Sequence, residues 1–308
     1  MAEMDSAIQG SEPAAAPAEQ GAPLELSASD RKQSTPVENR PCVALMGEFS
    51  AGKSTLSNLL IGKAALPVNV TATQLPPVWM SYGDQKPYCV DQEEHEHEVD
   101  PSLSDISVEE TNHVRIFHES RFLKFADLID MPGISDPNMA ADVWQRVIHH
   151  ADIVVWCSHA TQAWRQSEAA VWSTMPTSFH EKSLLLLTRM DRILSEKDRN
   201  RVIKRVERET EGLFRKVLPV SLIQALEAGN DADAWAASGA GTLLESLVGL
   251  IDEVSTGKTG RQHSRVRSKA APTGVDTSIG EEQKAKIVMP TRIRPRPLTS
   301  RPNRQVDL

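Results

Sequence analysis

Hydrophobic and polar positions divide the chain into a patterned middle and two flanks without a pattern. Between residues 41 and 255, short apolar runs alternate with segments whose apolar residues recur at helical spacing. The apolar runs predict strands at 42–46, 77–82, 87–91, 113–118, 122–129, 152–157, 183–187 and 216–220. The periodic segments predict helices at 53–63, 140–150, 165–174, 196–214, 221–228 and 241–254. This alternation is typical of a three-layer α/β domain around a mostly parallel sheet.

The two flanks have the composition of segments that do not fold alone. Residues 1–40 are rich in Ala, Pro, Ser and Glu, and residues 256–308 hold five prolines and few large apolar side chains. Such segments bury too little apolar surface to offset the entropy of ordering. We therefore predict a disordered acidic tail at 1–40, an α/β domain at 41–255 and a disordered basic tail at 256–308.

The net charge of −8 conceals an asymmetry between these tails. Seven acidic and three basic residues give 1–40 a net charge of −4, whereas twelve basic and four acidic residues give 256–308 a net charge of +8. The basic tail would attract anionic lipid or an acidic partner, although a purely solubilising tail explains its composition equally well. It has no aromatic side chain for base stacking, so we expect no nucleic acid as partner.

Cysteine usage and the N-terminus indicate an intracellular protein. Cys42, Cys89 and Cys157 have no metal-ligand spacing and are expected to be reduced thiols. The first ten residues lack the basic and apolar parts of a signal peptide, and no apolar run has the length of a membrane span. We expect a cytoplasmic location, either free or peripheral on the inner face of a membrane.

A phosphate-binding loop follows the first predicted strand. Residues 47–54 read Gly-Glu-Phe-Ser-Ala-Gly-Lys-Ser and fit the pattern G-x-x-x-x-G-K-[ST] without a mismatch. In this pattern backbone N–H groups surround a phosphate, the lysine lies between the β- and γ-phosphates, and the hydroxyl ligates magnesium. The predicted nucleotide-binding residues of this segment are Glu48, Phe49, Ser50, Ala51, Gly52, Lys53, Ser54 and Thr55.

Two further segments follow buried strands in the order expected of a GTPase. Asp130 ends an apolar run and is followed by Gly133; this carboxylate would hold magnesium, and the glycine N–H would contact the γ-phosphate. Four leucines at 184–187 precede Thr188, Arg189 and Asp191. A carboxylate at Asp191 matches the two donors of guanine, whereas adenine offers no such pair.

Two additional predictions complete the nucleotide site. Ser221, at the start of the helix predicted at 221–228, is expected to contact the nucleotide. A switch threonine that ligates magnesium is expected between residues 66 and 78, with Thr71 and Thr73 as the candidates. An ATPase of another phosphate-loop class is the less favoured alternative, because Asp191 suits guanine.

Residues 47–62, the Leu66-Pro67 pair, a following threonine and the segment Asp130-Met131-Pro132-Gly133-Ile134 resemble the GTPase domain of the dynamin superfamily, particularly its bacterial members. The resemblance covers about residues 41–255. It implies that Ser50 helps to hold a monovalent cation, potassium or sodium, and that Thr73 is the switch threonine that ligates magnesium and orients water. It makes Lys53, Ser50 and Thr73 the catalytic residues, and Ser54, Thr73 and Asp130 the magnesium ligands.

The resemblance also implies that GTPase domains pair face to face across the nucleotide and that pairing stimulates hydrolysis. The sequence departs from the family in three places. Phe49 stands where several dynamins have glutamine, and Arg189 stands where guanine-specific proteins have lysine. No segment after residue 255 has the pattern of a helical stalk, so membrane remodelling would require a stalk-bearing partner chain. The alternative function is a GTP-dependent switch with negligible turnover that recruits a partner.

Four weaker signals have ordinary structural explanations. The segment 93–98 reads Glu-Glu-His-Glu-His-Glu and predicts a solvated acidic hairpin tip, with a metal site as the alternative. The basic face of the helix predicted at 196–214 is expected to be solvated, with an acidic partner as the alternative. His149 and His150 are expected to end a helix without a catalytic role. Trp164 is expected to be a core residue, with contact to a partner as the alternative.

Overall fold

The structure, a computed structural model, describes residues 40–62, 64–66, 75–103, 106–135 and 143–268, with side chains to residue 257. Nine strands in this part of the chain form one sheet in the order β4-β3-β5-β2-β6-β1-β7-β8-β9. Their bounds are Cys42–Gly47 (β1), Val78–Tyr82 (β2), Tyr88–Asp91 (β3), Glu96–Glu98 (β4), Thr111–His118 (β5), Asp127–Asp130 (β6), Ile153–His159 (β7), Ser183–Thr188 (β8) and Lys216–Pro219 (β9).

Parallel pairing dominates the half of the sheet that carries the motifs. Strand β1 pairs in parallel with β6 and β7, and β7, β8 and β9 continue the parallel order. At the other side, β2 runs antiparallel to β6, and β3 runs antiparallel to both β4 and β5. The prediction of a mostly parallel sheet is therefore confirmed, and the carboxyl ends of β1, β6, β8 and β9 lie along one edge.

Helices cover both faces of the sheet. Their bounds are Lys53–Ile61 (α1), Gln166–Trp172 (α2), Glu196–Glu209 (α3), Leu222–Glu227 (α4), Ala232–Ala237 (α5) and Ala240–Ser268 (α6). The inward residues of α1, α4 and α6 share one buried cluster with alternate residues of β1, whereas α2 and α3 contribute to a second cluster beneath the opposite face. Apolar residues alternate between the two clusters along each central strand, which gives the three-layer arrangement.

Two predicted elements take a different form. The strand predicted at 122–129 begins only at Asp127, because Phe122–Lys124 make a 3₁₀ turn whose apolar side chains are buried at the sheet end. In the described part of the helix predicted at 140–150, two 3₁₀ turns occupy Val143–Arg146 and Ile148–His150. Both segments bury their apolar residues as the pattern demands, but short apolar runs do not by themselves distinguish strand, turn and helix.

Other boundaries also differ from the predictions. Helix α3 was predicted to reach residue 214 but ends at Glu209. The hydroxyl of the next residue, Thr210, donates to the Val206 carbonyl at 2.7 Å. Strand β4 and helix α5 were not predicted, because β4 is an exposed Glu-His-Glu segment without apolar residues and α5 is only six residues long. Helix α6 continues to Ser268, past the predicted domain boundary at 255.

The predictions of disordered tails fall largely outside the described part of the chain. Residues 1–39 and 269–308 are not described, so disorder there remains a prediction from composition, whereas residues 256–268, which were predicted to belong to the basic tail, are part of α6. The three cysteines are free, as predicted. Among the described helices, none is long and apolar enough to cross a membrane.

Candidate functional site

The phosphate loop connects β1 to α1 and is held in shape by close backbone packing. Gly47 has φ +136°, and a Cβ atom at this position would lie 2.0 Å from the carbonyl oxygen of Cys157 on β7. Only glycine fits both restrictions, since an L side chain rarely adopts this φ and no room exists for one. The first glycine of the motif therefore fixes the entry of the loop from the sheet.

Lys53 is directed back over the loop. Its ammonium donates to the carbonyl oxygens of Gly47 at 3.2 Å and of Glu48 at 3.0 Å, and the side chain is buried. The loop thus presents a positive charge beside the N-terminus of α1, where the unpaired N–H groups of a helix favour an anion. The position of Lys53 between the β- and γ-phosphates stays a prediction.

Asp130 ends β6 directly beside this lysine. Its Oδ2 accepts a hydrogen bond from the Ser57 hydroxyl at 3.3 Å, whereas Oδ1 is buried without a hydrogen-bond partner among the described residues. Burial raises the pKa of Asp130 to about 6, although Lys53 and the hydroxyls of Ser54 and Ser57 act in the opposite direction. A buried carboxylate close to the Ser54 hydroxyl is a pair of oxygen ligands that fits a hard divalent cation such as magnesium.

Gly133 lies against the phosphate loop. A Cβ atom here would approach the Cα of Phe49 to 2.8 Å and its nitrogen to 2.9 Å. The next residue, Ile134, donates its N–H to the Gly47 carbonyl at 3.2 Å. The loop after β6 and the phosphate loop are therefore in contact, and a larger residue at 133 would force them apart.

Residues at the end of β8 form hydrogen bonds to the middle of the phosphate loop. The buried Thr188 hydroxyl donates to the Ala51 carbonyl at 2.7 Å, and the Arg189 guanidinium donates to the Ser50 carbonyl at 3.1 Å. Arg189 has φ 55°, a left-handed conformation that turns the chain sharply after the strand. These two residues thus support the loop, and the arginine in place of lysine still reaches it.

Asp191 and Ser221 meet at the far end of the same edge. The Ser221 hydroxyl donates to Asp191 Oδ1 at 2.6 Å, and Ser221 is also the N-cap of α4. The capped helix fixes the serine, and the serine fixes one carboxylate oxygen. Asp191 is partly exposed, so the rest of its carboxylate is accessible to a ligand.

Glu48, which the sequence placed among the nucleotide-binding residues, has side-chain partners elsewhere. Its carboxylate accepts hydrogen bonds from Ser135, in the loop after β6, and from Ser167, in the first turn of α2. Neither serine was predicted, because each belongs to a segment far from Glu48 in sequence. No local pattern marks them.

A second buried carboxylate lies next to this cluster and was also missed. Glu168 is 1% exposed and accepts hydrogen bonds from Trp156 Nε1, the Ser158 hydroxyl and the Arg165 N–H. Burial raises the pKa of Glu168, and the nearby charge of Glu48 contributes in the same direction. The network holds the loop between β7 and α2.

The structure brings the described members of the predicted nucleotide site to one edge of the sheet. They are Glu48, Phe49, Ser50, Ala51, Gly52, Lys53, Ser54, Thr55, Asp130, Gly133, Thr188, Arg189, Asp191 and Ser221. Thr71 and Thr73 lie outside the described residues, so the switch threonine remains a prediction. Ser57 was missed, although it lies one helical turn after Lys53 on the same face.

The weaker signals take ordinary structural positions. His97 Nε2 lies 2.7 Å from Asp91 Oδ2 on the exposed hairpin, and the described residues contain no group of three side chains suited to a metal. Trp164 is buried and packs edge-on against Trp156 and Phe214 with ring centroids 6.3 and 5.3 Å apart. It is therefore a core residue, and its alternative role in contacting a partner is not supported.

Comparisons with known proteins agree with this geometry. Residues 43–190 match the model of the dynamin family. Dynamin-like protein 2 of Campylobacter jejuni is 24% identical over 220 residues, which cover 68% of this chain and 34% of that protein. A solved structure described as an oligomerised bacterial dynamin pair that senses and tethers membranes aligns with a TM-score of 0.50 and 17% identity, over 72% of this chain and 37% of the other. The structural likeness shows the fold, and the chain spans only about a third of either protein's length.

Proposed function

Since residues 43–190 match the model of the dynamin family, we propose that the chain binds GTP with magnesium and hydrolyses it to GDP and phosphate. The observation that carries the proposal is the convergence of three groups at the carboxyl edge of one sheet. Lys53 lies in the phosphate loop, Asp130 beside it has a buried oxygen without a hydrogen-bond partner in the part of the chain that the structure describes, and Asp191 is oriented by Ser221. These are a phosphate site, a cation site and a base site in the order that a nucleoside triphosphate requires.

The described residues of the nucleotide site have roles that follow from their geometry. Lys53 and the N-terminus of α1 neutralise phosphate charge, and the Thr188 hydroxyl keeps the loop in the shape that permits this. Ser54 and Asp130 would hold magnesium, which supplies further neutralisation of charge on the phosphates. Asp191 would accept from the two guanine donors, and ATP lacks the matching pair.

The remaining roles come from the family resemblance. Thr73 would orient the attacking water and complete the magnesium ligands, and Ser50 would help to hold a potassium or sodium ion. Because this mechanism relies on positioning and electrostatics, no side-chain base is needed. We further propose that two such domains pair across the nucleotide and that pairing raises turnover.

The test is the rate of phosphate release from GTP with magnesium and either potassium or sodium, measured over a range of protein concentrations. We expect a per-molecule rate that rises with concentration, that is lost in Lys53→Ala, and that is much lower with ATP. Asp191→Ala removes the acceptor for the two guanine donors. The preference for GTP over ATP should therefore fall by at least tenfold, which corresponds to a loss of about 1.4 kcal/mol of binding free energy.

A GTP-dependent switch that recruits a partner is the second candidate. It predicts tight GTP binding with negligible phosphate release at every concentration. The two candidates are separated by the dependence of turnover on protein concentration and on Thr73. Cooperation with a stalk-bearing partner chain is a further proposal. So is membrane association through the basic tail, which vesicle sedimentation would test by comparing the full chain with one that lacks residues 269–308, the part of this tail beyond α6.

A further inference from the structure

Glu48 is the first residue after β1, and its backbone already belongs to the phosphate loop. Its carbonyl oxygen accepts from Lys53 Nζ at 3.0 Å and from the Ala51 N–H at 3.2 Å. The residue as a whole is 8% exposed, so Glu48 is largely withdrawn from solvent. A buried carboxylate needs donors, because each unpaired oxygen retains the penalty of its lost hydration.

Its donors belong to two segments that are distant in sequence. Oε2 accepts from Ser135 Oγ, 87 positions away, and Oε1 accepts from Ser167 Oγ at 2.5 Å, 119 positions away. Ser135 lies two residues after Gly133 in the loop that follows β6, and Ser167 lies in the first turn of α2. One carboxylate thus connects the phosphate loop to both segments.

The contact to Ser135 reinforces a loop that already lies on the phosphate loop. Ile134 donates to the Gly47 carbonyl at 3.2 Å, and Gly133 is in backbone contact with Phe49. The position of the Gly133 N–H relative to a γ-phosphate therefore depends on how firmly residues 133–135 are held. To these backbone contacts Glu48 adds a side-chain contact that comes from the phosphate loop itself.

The contact to Ser167 extends the connection to the second buried carboxylate. Ser167 precedes Glu168, which organises Trp156, Ser158 and Arg165 around the start of α2. Through Ser167, Glu48 is therefore connected to a segment that holds a hydrogen-bond network of its own.

We propose that Glu48 is a positioning residue that ties the loop after β6 to the phosphate loop and to α2, so that the placement of Gly133 against the γ-phosphate depends on its carboxylate. The proposal rests on the proposed GTPase function for its kinetic consequence, but the connection itself is a property of the protein without nucleotide. Glu48 does not need to touch the nucleotide with its side chain.

The first test measures amide hydrogen exchange in nucleotide-free protein. Removing the carboxylate in Glu48→Ala should speed exchange of the Ile134 N–H about tenfold, the factor that loss of one hydrogen bond gives. Glu48→Gln keeps one carbonyl oxygen and should show a smaller change. Ser173→Ala is the matched control, since Ser173 is an exposed hydroxyl at the other end of α2 and should leave exchange at Ile134 unchanged.

The second test is a double-mutant cycle on turnover. Glu48→Ala and Ser135→Ala should each lower kcat for GTP, and the double variant should be no slower than Glu48→Ala alone, because both remove the same contact. The ratio of the affinity for a non-hydrolysable GTP analogue to the affinity for GDP should fall in Glu48→Ala, since in the proposed function Gly133 would contact only the γ-phosphate. A merely structural role would weaken both ligands equally.

Unchanged exchange at Ile134 in Glu48→Ala would overturn the proposal, and so would multiplicative losses in the cycle. If the wild-type protein shows no turnover at all, the proposed function fails but the exchange experiment still decides the connection. The two failures are therefore distinguishable.

Discussion

Replacing Asp130 by asparagine should stabilise the nucleotide-free protein. Burial raises the pKa of this carboxyl from 3.8 to about 6, so its charged form opposes folding. The protonated carboxyl contributes to the stability of the folded state at a pH below 3.8, the pKa of Asp130 in the unfolded chain. This contribution is lost as the pH rises through about 6, the pKa in the folded protein. At about 1.4 kcal/mol per pKa unit, the penalty at pH 8 is about 3 kcal/mol. Asparagine keeps an oxygen for the Ser57 hydroxyl and has no charge.

The assay is urea unfolding with a chelator, in the absence of nucleotide, from pH 5 to pH 8. The free energy of unfolding of Asp130→Asn should exceed that of the wild type by about 3 kcal/mol at pH 8 and by roughly half of that at pH 5. With an m-value of about 2 kcal/mol/M, the midpoint shift at pH 8 would be about 1.5 M. A gap that does not change with pH, or a less stable variant at pH 8, would refute the reasoning.

Asp127 in the same strand is the matched control. Its carboxylate accepts from Trp79 Nε1 at 2.9 Å and from Ser81 Oγ at 2.8 Å, and lies 3.2 Å from Arg115 and 3.4 Å from Arg40. Breaking a buried ion pair by removing one partner leaves uncompensated charge. Asp127→Asn should therefore lower the free energy of unfolding by roughly 3 kcal/mol. The same substitution three positions later, at Asp130, should raise it.

Three further substitutions test the loop and the base site. Gly47→Ala should destabilise the domain by more than about 2 kcal/mol in urea unfolding, since the new Cβ would meet the Cys157 carbonyl. Thr188→Val, which keeps the volume but removes the donor to the Ala51 carbonyl, should weaken fluorescent GDP binding about tenfold. Ser221→Ala should weaken GDP binding by a similar factor in the same titration, because the Ser221 hydroxyl no longer orients the Asp191 carboxylate. Unchanged affinity in both variants would contradict these roles.

Much of the site follows from local sequence, because its residues are placed by strand ends. An apolar run followed by a glycine loop, or by Asp-x-x-Gly, positions its polar residues at the carboxyl edge wherever the strand lies in the sheet. For this reason the position of Lys53, Asp130 and Asp191 at one edge of the sheet could be predicted from the sequence alone. Their mutual arrangement needs only the parallel order of β1, β6 and β8.

Contacts between distant segments could not be assigned in the same way. The partners of Glu48 come from the loop after β6 and from α2, and no spacing in the sequence connects them. Glu168 is similar, since a single glutamate in a helical segment reads as solvated until Trp156 and Ser158 are placed beside it. The 3₁₀ turns near 122–124 and 143–150 were missed for another reason, because burial was predicted correctly but backbone form was not.

The two aspartates of β6 show how the fold separates stability from function. The charge of Asp127 is balanced by two nearby arginines and its Oδ2 accepts hydrogen bonds, whereas its Oδ1 has no hydrogen-bond partner among the described residues. Asp130 has a hydroxyl on one oxygen and no hydrogen-bond partner on the other among the described residues, and Lys53 is engaged by loop carbonyls. A fully satisfied carboxylate at this position would be more stable, but it would leave no oxygen for a cation. The penalty at Asp130 is therefore relieved when a cation binds, which couples occupancy of the site to the stability of the domain.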